Sequence, residues 1–369
     1  MRILVAVVIC VMTLALSGGA ASAGPSVRLL QRAVSLSGLP ARQPVPTARL
    51  AGNRYDALLD RARNREYTRA LQRFDSRLYA LLGLTTRPVN ERQASTSRAW
   101  YDPAARKLLL RRAPQPGRSQ VLHELVRALV DQNFRLARLR GLRALDRDRA
   151  LAAHAMVDGT AALASRLRSK PLRGTPLERF LQLESSAGLG PGRALAAELR
   201  YLGGRAALAT ALKTFPQTTE QLLHVDKFLE RERALPVRLP ARAADLELDG
   251  STTFGELDVR SLLRAFGVPN AADVATGWGG ARVGLYASDS GEVTAALLIR
   301  WDTPDDGAEW RDAAQRYVAA AFPESSAADC PPLDRCWTGA SGLAAVTLGA
   351  TSILASGPAA RDLAVALVG

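Results

Sequence analysis

One stretch of the sequence carries residues that could bind and use a metal ion. His123 is followed directly by Glu124, and Arg127 stands four residues after the histidine. Two histidines at positions i and i+4 of a helix offer two nitrogen ligands to zinc, and a glutamate beside the first acts as general base on the metal-bound water. Here the second histidine is replaced by arginine, whose guanidinium is always charged and has no lone pair for a metal.

The elements that must position these residues are predicted from local patterns. Apolar residues at helical spacing follow Ser119 as far as Phe134, which predicts a helix through the motif. Strand-like runs at 97–101 and 107–111 predict a hairpin just before it. A second helix is predicted from about 143 to 167. It carries His154 and Asp158 on one face, because residues four apart lie one above the other on a helix.

Several segments together resemble a group of exported bacterial zincin-like proteins, related to the gluzincin-type zinc metallopeptidases. The resemblance covers most of the chain after its first residues. In that group the motif helix usually reads His-Glu-Leu-Thr-His-Ala-Leu-Gln-Asp-Gln. The next helix carries a Val-Glu-Gly-Asp-Ala-like segment, whose glutamate is the expected third ligand. The segments that carry the resemblance are Tyr101-Asp102-Pro103, Val121–Phe134, Val157-Asp158-Gly159-Thr160-Ala161, Thr219–Phe228 and Gly277-Trp278-Gly279-Gly280.

The resemblance implies that two of the three expected ligands have changed. Asp158 stands where the third ligand is expected, with its carboxylate retracted by one methylene, and Arg127 adds a positive charge to the site. We therefore predict that Arg127 occupies the place of the metal and forms ion pairs with Glu124 and Asp158. His123 and Asp158 would then be vestigial ligands, Glu124 a vestigial general base, and the protein would need no cofactor.

The function predicted from this reading is that of a catalytically inactive metallopeptidase homologue, which acts by binding a peptide or a cell-envelope component. One alternative is an active zinc peptidase with an altered ligand set of His123 and Asp158, to which His154 could contribute. His154 is better explained as a partly buried polar residue of a packed helix. Another alternative is a structural protein of the envelope surface.

The first residues and the cysteines predict export. Arg2 precedes an apolar run at 3–16, and Ala21-Ser22-Ala23 is a small-x-small cleavage site, so residues 1–23 are predicted to be a signal peptide. No later stretch is long and apolar enough to cross a bilayer, which predicts a secreted or envelope-exterior protein without a stable membrane anchor after cleavage. Cys330 and Cys336 are predicted to close a small disulfide loop.

Charge divides the remaining chain into two unlike parts. Residues 241–369 contain 9 arginines, no lysine and 17 acidic residues, a net charge of −8, although the whole chain carries +14. Nucleic-acid binding is disfavoured for the basic part, because aromatic residues are sparse and its arginines are spread over many helices. The order of elements predicts an α+β protein with an extended arm at 24–50 and a mainly helical zincin-like domain at 51–240. A smaller α+β domain would follow at 241–369, with an antiparallel sheet covered on one side. Gly277-Trp278-Gly279-Gly280 is predicted to be a tight turn that presents Trp278 to the interdomain core.

Overall fold

The fold is mixed α and β, with a mainly helical first part and a large antiparallel sheet in the second. A computed structural model describes residues 27–86, 97–339 and 342–368. The predicted signal peptide at 1–23 lies outside these residues. Within the described part of the chain, no helix is long and apolar enough to span a membrane.

The first part contains ten helices and three strands among the described residues. The helices are α1 (Val27–Ser37), α2 (Gly52–Glu66), α3 (Arg69–Leu81), α4 (Arg118–Phe134), α5 (Leu142–Leu145), α6 (Arg147–Ser165), α7 (Pro176–Ser185), α8 (Arg193–Thr214), α9 (Thr219–Leu223) and α10 (Val225–Glu230). The strands are β1 (Thr47–Leu50), β2 (Ala99–Asp102) and β3 (Lys107–Arg111). Strands β2 and β3 form the antiparallel hairpin that precedes α4.

The prediction of an extended arm at 24–50 was wrong. Helix α1 packs against α4, and its buried Ala33 belongs to the same apolar core as Leu125 and Leu129 of α4. Strand β1 pairs in parallel with β3, with Thr47 opposite Leu108. The prolines at 40, 44 and 46 lie between or beside these elements. These prolines suggested an extended chain. The prediction failed because the elements that pack against this segment, β3 and α4, lie more than fifty residues further along the chain.

The second part is built on a sheet of eight strands, each antiparallel to its neighbours. The strands are β4 (Arg242–Ala243), β5 (Leu246–Thr253), β6 (Trp278–Ala287), β7 (Val293–Trp301), β8 (Ser326–Cys330), β9 (Leu333–Thr338), β10 (Leu343–Leu348) and β11 (Thr351–Ser356). Their spatial order is β4-β5-β6-β7-β11-β10-β9-β8. The helices of this part are α11 (Glu256–Ala265), α12 (Ala271–Thr276), α13 (Pro304–Ala321) and α14 (Ala360–Val368). A disulfide joins Cys330 to Cys336 across the β8–β9 hairpin, as the sequence predicts.

Helices cover this sheet on both faces, which corrects the predicted one-sided cover. Leu297 of β7 and Leu354 of β11 point into a core that includes Trp310 and Tyr317 of α13. The alternate residues point the other way, and Ile353 and Ala355 pack with Ala360 of α14. Successive side chains of a strand point to opposite faces of the sheet. A strand that is apolar at nearly every position is therefore buried on both faces.

The Gly277–Gly280 segment is not a free turn, because Trp278 begins strand β6. The indole nitrogen of Trp278 donates a hydrogen bond to the Phe254 carbonyl at 3.0 Å, and the ring lies in the core of the second part. The backbone of Leu235, from the connection between the two parts, donates to the Gly279 carbonyl at 2.7 Å. A Cβ atom at Gly280 would lie 2.3 Å from the Leu235 carbonyl oxygen, so the close approach of the two backbones requires glycine at that position.

Candidate functional site

Helix α4 presents the motif residues from a largely buried position. Nine of its residues are buried, including His123 and Glu124. The helix begins after Gly117, whose backbone N–H donates to Gln120 Oε1 at 3.1 Å and so satisfies one of the amides that the first turn leaves unpaired. Leu125 and Leu129 belong to an apolar core that α4 shares with α1 and α6. The helix that carries the polar motif residues is therefore held by packing.

Strand β2 fixes the carboxylate of Glu124. The backbone N–H of Tyr101 donates to Glu124 Oε2 at 2.8 Å. About two helical turns further along α4, the Tyr101 hydroxyl donates to Asp131 Oδ2 at 2.7 Å. Burial, together with this hydrogen bond to a carboxylate, raises the pKa of Tyr101 well above its ordinary value. The two bonds bind the hairpin to α4 and keep Glu124 oriented towards the second helix.

Arg127 lies between Glu124 and the carboxylate of Asp158 on α6. Its Nη1 atom lies 3.6 Å from Glu124 Oε2, and its Nε atom lies 3.1 Å from Asp158 Oδ1. The arginine side chain is only 19% exposed, whereas that of Asp158 is 36% exposed. Burial by itself would lower the pKa of Arg127, but the charges of Asp158 and Glu124 more than offset this and the pKa is raised. The guanidinium is therefore a fixed positive charge between two carboxylates.

The contact between Arg127 Nε and Asp158 Oδ1 is electrostatic rather than a well-aligned hydrogen bond. Neither of these two buried atoms has a hydrogen-bond partner among the described residues. Each has lost its water without gaining a directed bond, so the mutual attraction must offset the cost of desolvation. Loss of either partner would leave the other charge desolvated and without a compensating opposite charge.

The position of Asp158 is set by an unusually close crossing of two backbones. Helix α6 packs against a short π-helical segment at Gly188–Gly192. A Cβ atom on Gly159 would lie 2.1 Å from the Gly192 carbonyl carbon, and one on Gly188 would lie 2.3 Å from the Asp158 Cβ. Real side chains do not tolerate such distances, so glycines at these positions let the segment pack directly on α6. The crossing keeps Asp158 on the side of α6 that faces α4.

The predicted metal ligands do not converge. His123 Nδ1 lies 3.4 Å from Ser165 Oγ, near the end of α6, and His154 is exposed to solvent. Among the described residues, one group of three potential ligands has its donor atoms within 4.8 Å of one another, and it includes neither histidine nor Asp158. A guanidinium also stands within 3.6 Å of the two carboxylates that a metal would need nearby. The residues present therefore do not fit a zinc ion at the motif.

The convergent group of three carboxylates already holds a cation from the chain. It consists of Glu220, Glu232 and Asp302. The Nζ atom of Lys227 lies 3.1 Å from Glu232 Oε1 and 2.9 Å from Asp302 Oδ2, and it also contacts Glu220. This ammonium ties the first part of the chain to the second through Asp302. Burial raises the pKa of Glu220 to about 7, against the opposing effect of Lys227. Nearby, His224 Nε2 lies 2.9 Å from Glu256 Oε1.

A second buried arginine organises a larger charge cluster that the sequence did not reveal. Arg147 is 4% exposed, and its guanidinium contacts Asp75 of α3, Glu184 of α7 and Asp258 of α11. Arg143 adds a second positive charge through Asp75 at 2.7 Å. These side chains come from five helices in both parts of the chain. In the sequence, Arg147 lies at the start of a helix between two aspartates, which is also the pattern of an exposed helix end.

Two small cavities lie in the second part of the chain. One is lined by residues of α13, β9 and β10, including Trp310 and Trp337. The other lies between β10, β11 and the end of α14, beside Ile353 and Leu367. Neither is lined by Glu124, Arg127 or Asp158. Within the described ranges, the motif is therefore a packed polar contact rather than the wall of one of these cavities.

Part of the chain is similar to a family without an assigned role. Residues 244–365 match a family described as a domain of unknown function (DUF8575). The matched residues contain seven whole strands of the eight-stranded sheet and three whole helices, α11 to α13, and extend into α14. No curated protein and no solved structure matches the chain.

Proposed function

We propose that this chain is an exported zincin-fold protein that has lost metal-dependent hydrolysis and acts by binding a peptide or a cell-envelope component. One observation carries the proposal. A buried guanidinium, that of Arg127, bridges Glu124 and Asp158 at the position where the resemblance places a metal ion. A guanidinium cannot ligate a metal and repels a divalent cation.

The order of elements around the motif supports the zincin-like relation. A short antiparallel hairpin precedes α4, and β2 hydrogen-bonds to Glu124 of the motif. The second helix, α6, then brings an acidic residue back to the motif. Gly159, the glycine after that acidic residue, is required by the crossing with Gly188–Gly192. These features agree with the segments on which the resemblance rests, and they do not depend on the missing histidine.

The chemistry of the site supports a binding protein rather than a hydrolase. A zincin glutamate takes a proton from a metal-bound water. Here Glu124 Oε2 accepts the Tyr101 amide and lies in an ion pair with Arg127. Without a metal to acidify water, a carboxylate held in this way has no activated nucleophile to generate. The arginine instead replaces the structural role of a metal, because it joins the two helices that the ligands would have joined.

The disulfide between Cys330 and Cys336 supports export, because such bonds persist mainly in oxidising compartments. The basic first part of the chain adds an electrostatic preference for anionic partners on the cell surface.

Restoring the missing ligands tests the proposal. In the double variant Arg127→His with Asp158→Glu, the ligand set of the resembling proteins is complete, so we expect the folded variant to bind one zinc per chain. Zinc affinity is measured by competition with a chromogenic chelator. The control is Arg149→His, which places a histidine at an exposed position of α6 and should not change zinc affinity. A double variant that folds but binds zinc no better than this control would contradict descent from a zinc site.

A further inference from the structure

Helix α8 breaks at a glycine pair on the surface of the basic part of the chain. Gly203 has φ −142° and ψ 19°, and Gly204 has φ 64° and ψ −147°, so neither continues the helix. A Cβ atom at Gly204 would meet no atom within 4 Å. All residues from 200 to 206 are exposed. The residues at this break, 200–206, lie at the surface and are named the tip.

The tip carries two large apolar side chains that the fold leaves uncovered. Tyr201 is 89% exposed and Leu202 is 56% exposed. Among the described residues, these two are the only large hydrophobic residues of such exposure that are adjacent in the sequence. Isolated exposed apolar residues are common, whereas an adjacent exposed pair at a helix break forms a small apolar patch that is open to a partner.

Positive charge surrounds this pair. Arg200 and Arg205 stand on either side of it, and Arg200 Nη1 donates to the Leu36 carbonyl at 2.9 Å. The side chain of Arg205 lies against Gly38, directly after α1. Helices α1 and α8 are therefore joined at the tip. Together they contain six basic residues and a single acidic one, Glu198.

We propose that this tip is a peripheral binding site for an anionic phospholipid bilayer. Tyrosine and leucine enter the boundary between headgroups and acyl chains, and flanking arginines contact the phosphates. An exposed pair of apolar side chains flanked by arginines fits a deformable bilayer, whereas protein interfaces centre on buried aromatic anchors that fill pockets. The charge of α1 and α8 complements an anionic surface and would repel a basic one. The contact is reversible and sensitive to salt, and it is independent of the motif at Arg127.

Vesicle flotation with the full-length mature protein tests this site. We expect binding to vesicles of phosphatidylcholine containing about a third phosphatidylglycerol, and much weaker binding to phosphatidylcholine alone. Replacement of both Tyr201 and Leu202 by serine should lower the partition coefficient by about tenfold or more, because each buried methylene contributes to partitioning. The control is Leu229→Ser on α10, since Leu229 has the same 56% exposure as Leu202. This variant should bind as the unchanged protein does.

Three results would overturn the proposal. The first is equal binding to the two kinds of vesicle, because it would remove the role of charge. The second is unchanged binding by the Tyr201→Ser, Leu202→Ser variant. The third is a combined result: the unchanged protein does not bind either kind of vesicle, and a photocrosslinker placed at position 201 captures a protein partner. A Tyr201→Trp variant adds a direct readout, because its fluorescence should be quenched by brominated lipid chains if the tip enters the bilayer.

Discussion

Arg127 on α4 and Asp158 on α6 place their charges 3.1 Å apart, and this contact connects the two central helices of the first part of the chain. The pair is reinforced by Glu124, whose Oε2 atom lies 3.6 Å from Arg127 Nη1 and also accepts the amide of Tyr101. The same guanidinium thus links strand β2, through Glu124, to α6.

Removal of the Arg127 charge should destabilise the protein. In Arg127→Met the carboxylates of Glu124 and Asp158 lose their shared cation, and we expect a loss of about 2 kcal/mol, below the usual range for buried pairs because Asp158 is partly solvated. Urea denaturation of the mature protein measures this loss. The matched control is Arg77→Met. Arg77 contacts Asp249 at 3.0 Å, but both side chains are more than half exposed, so its removal should cost less than about 1 kcal/mol.

A double-mutant cycle isolates the pair itself. Asp158→Asn should reduce the cost of Arg127→Met by about 1 kcal/mol, since the arginine then has less negative charge to compensate. Additive effects of the two substitutions would show that the guanidinium does not depend on Asp158, and the account of the site would lose its main support.

The crossing of α6 with Gly188–Gly192 should tolerate no side chain at Gly159. In Gly159→Ala the new methyl would overlap the backbone of Gly192, which cannot move without breaking the packing around Asp158. We expect a loss of about 3 kcal/mol or more, or failure to fold. Gly190→Ala is the control in the same segment, because a Cβ there meets no atom within 4 Å. Thermal denaturation should show a large fall in Tm for the first variant and a small change for the second.

The burial of Glu220 should make stability depend on pH. Burial raises the pKa of Glu220 to about 7, above the value near 4.5 of an unperturbed glutamate. The folded state therefore holds a proton that the unfolded state releases between these values. The stability contributed by this proton is complete below about pH 4.5 and is lost as the pH rises through about 7.

This effect is measured by comparison with Glu220→Gln, which cannot titrate. As the pH rises from 5 to 8, the unchanged protein loses the stability that the proton on Glu220 contributes, and the variant does not. The free energy of unfolding of the variant should therefore rise relative to that of the unchanged protein by about 2 kcal/mol. The difference reports the removal of the Glu220 carboxyl, together with a smaller change at His224, whose pKa is raised by its hydrogen bond to Glu256 and in part by the charge of Glu220. A difference that does not change with pH, or that changes in the opposite direction, would contradict the raised pKa.

Local sequence patterns predict those strands and helices that contain enough apolar residues of their own to be recognised as buried. The runs at 293–301 and 343–348 are apolar at most positions, which predicts two strands there, and strands β7 and β10 have these bounds. The sequence also predicts helices at 192–202 and 204–213, and α8 does consist of two helical pieces, separated by the glycine pair at 203 and 204. Strand β5 was missed because its sequence, Leu246–Thr253, has only two apolar residues and includes a bulge beside Gly250. Its structure is imposed by pairing with β6.

Long-range contacts explain what the sequence could not reveal about the site. The spacing of the motif placed His123, Glu124 and Arg127 on one helix, and the resemblance indicated Asp158 on the next. The burial of Arg147 could not be predicted, because its partners Asp75 and Asp258 lie 72 and 111 residues away. From the sequence alone, a charged residue near a helix start is expected to be exposed to solvent, because the elements that cover it are not yet known.

The metal content of the mature protein tests the central claim most directly. The protein is purified without chelator, dialysed against metal-free buffer and examined by inductively coupled plasma mass spectrometry, with peptide hydrolysis assayed in parallel. Because Arg127 supplies the positive charge between Glu124 and Asp158, we expect far less than one zinc per chain and no hydrolysis that a chelator abolishes. One zinc per chain that survives dialysis, with chelator-sensitive peptide cleavage, would contradict the account.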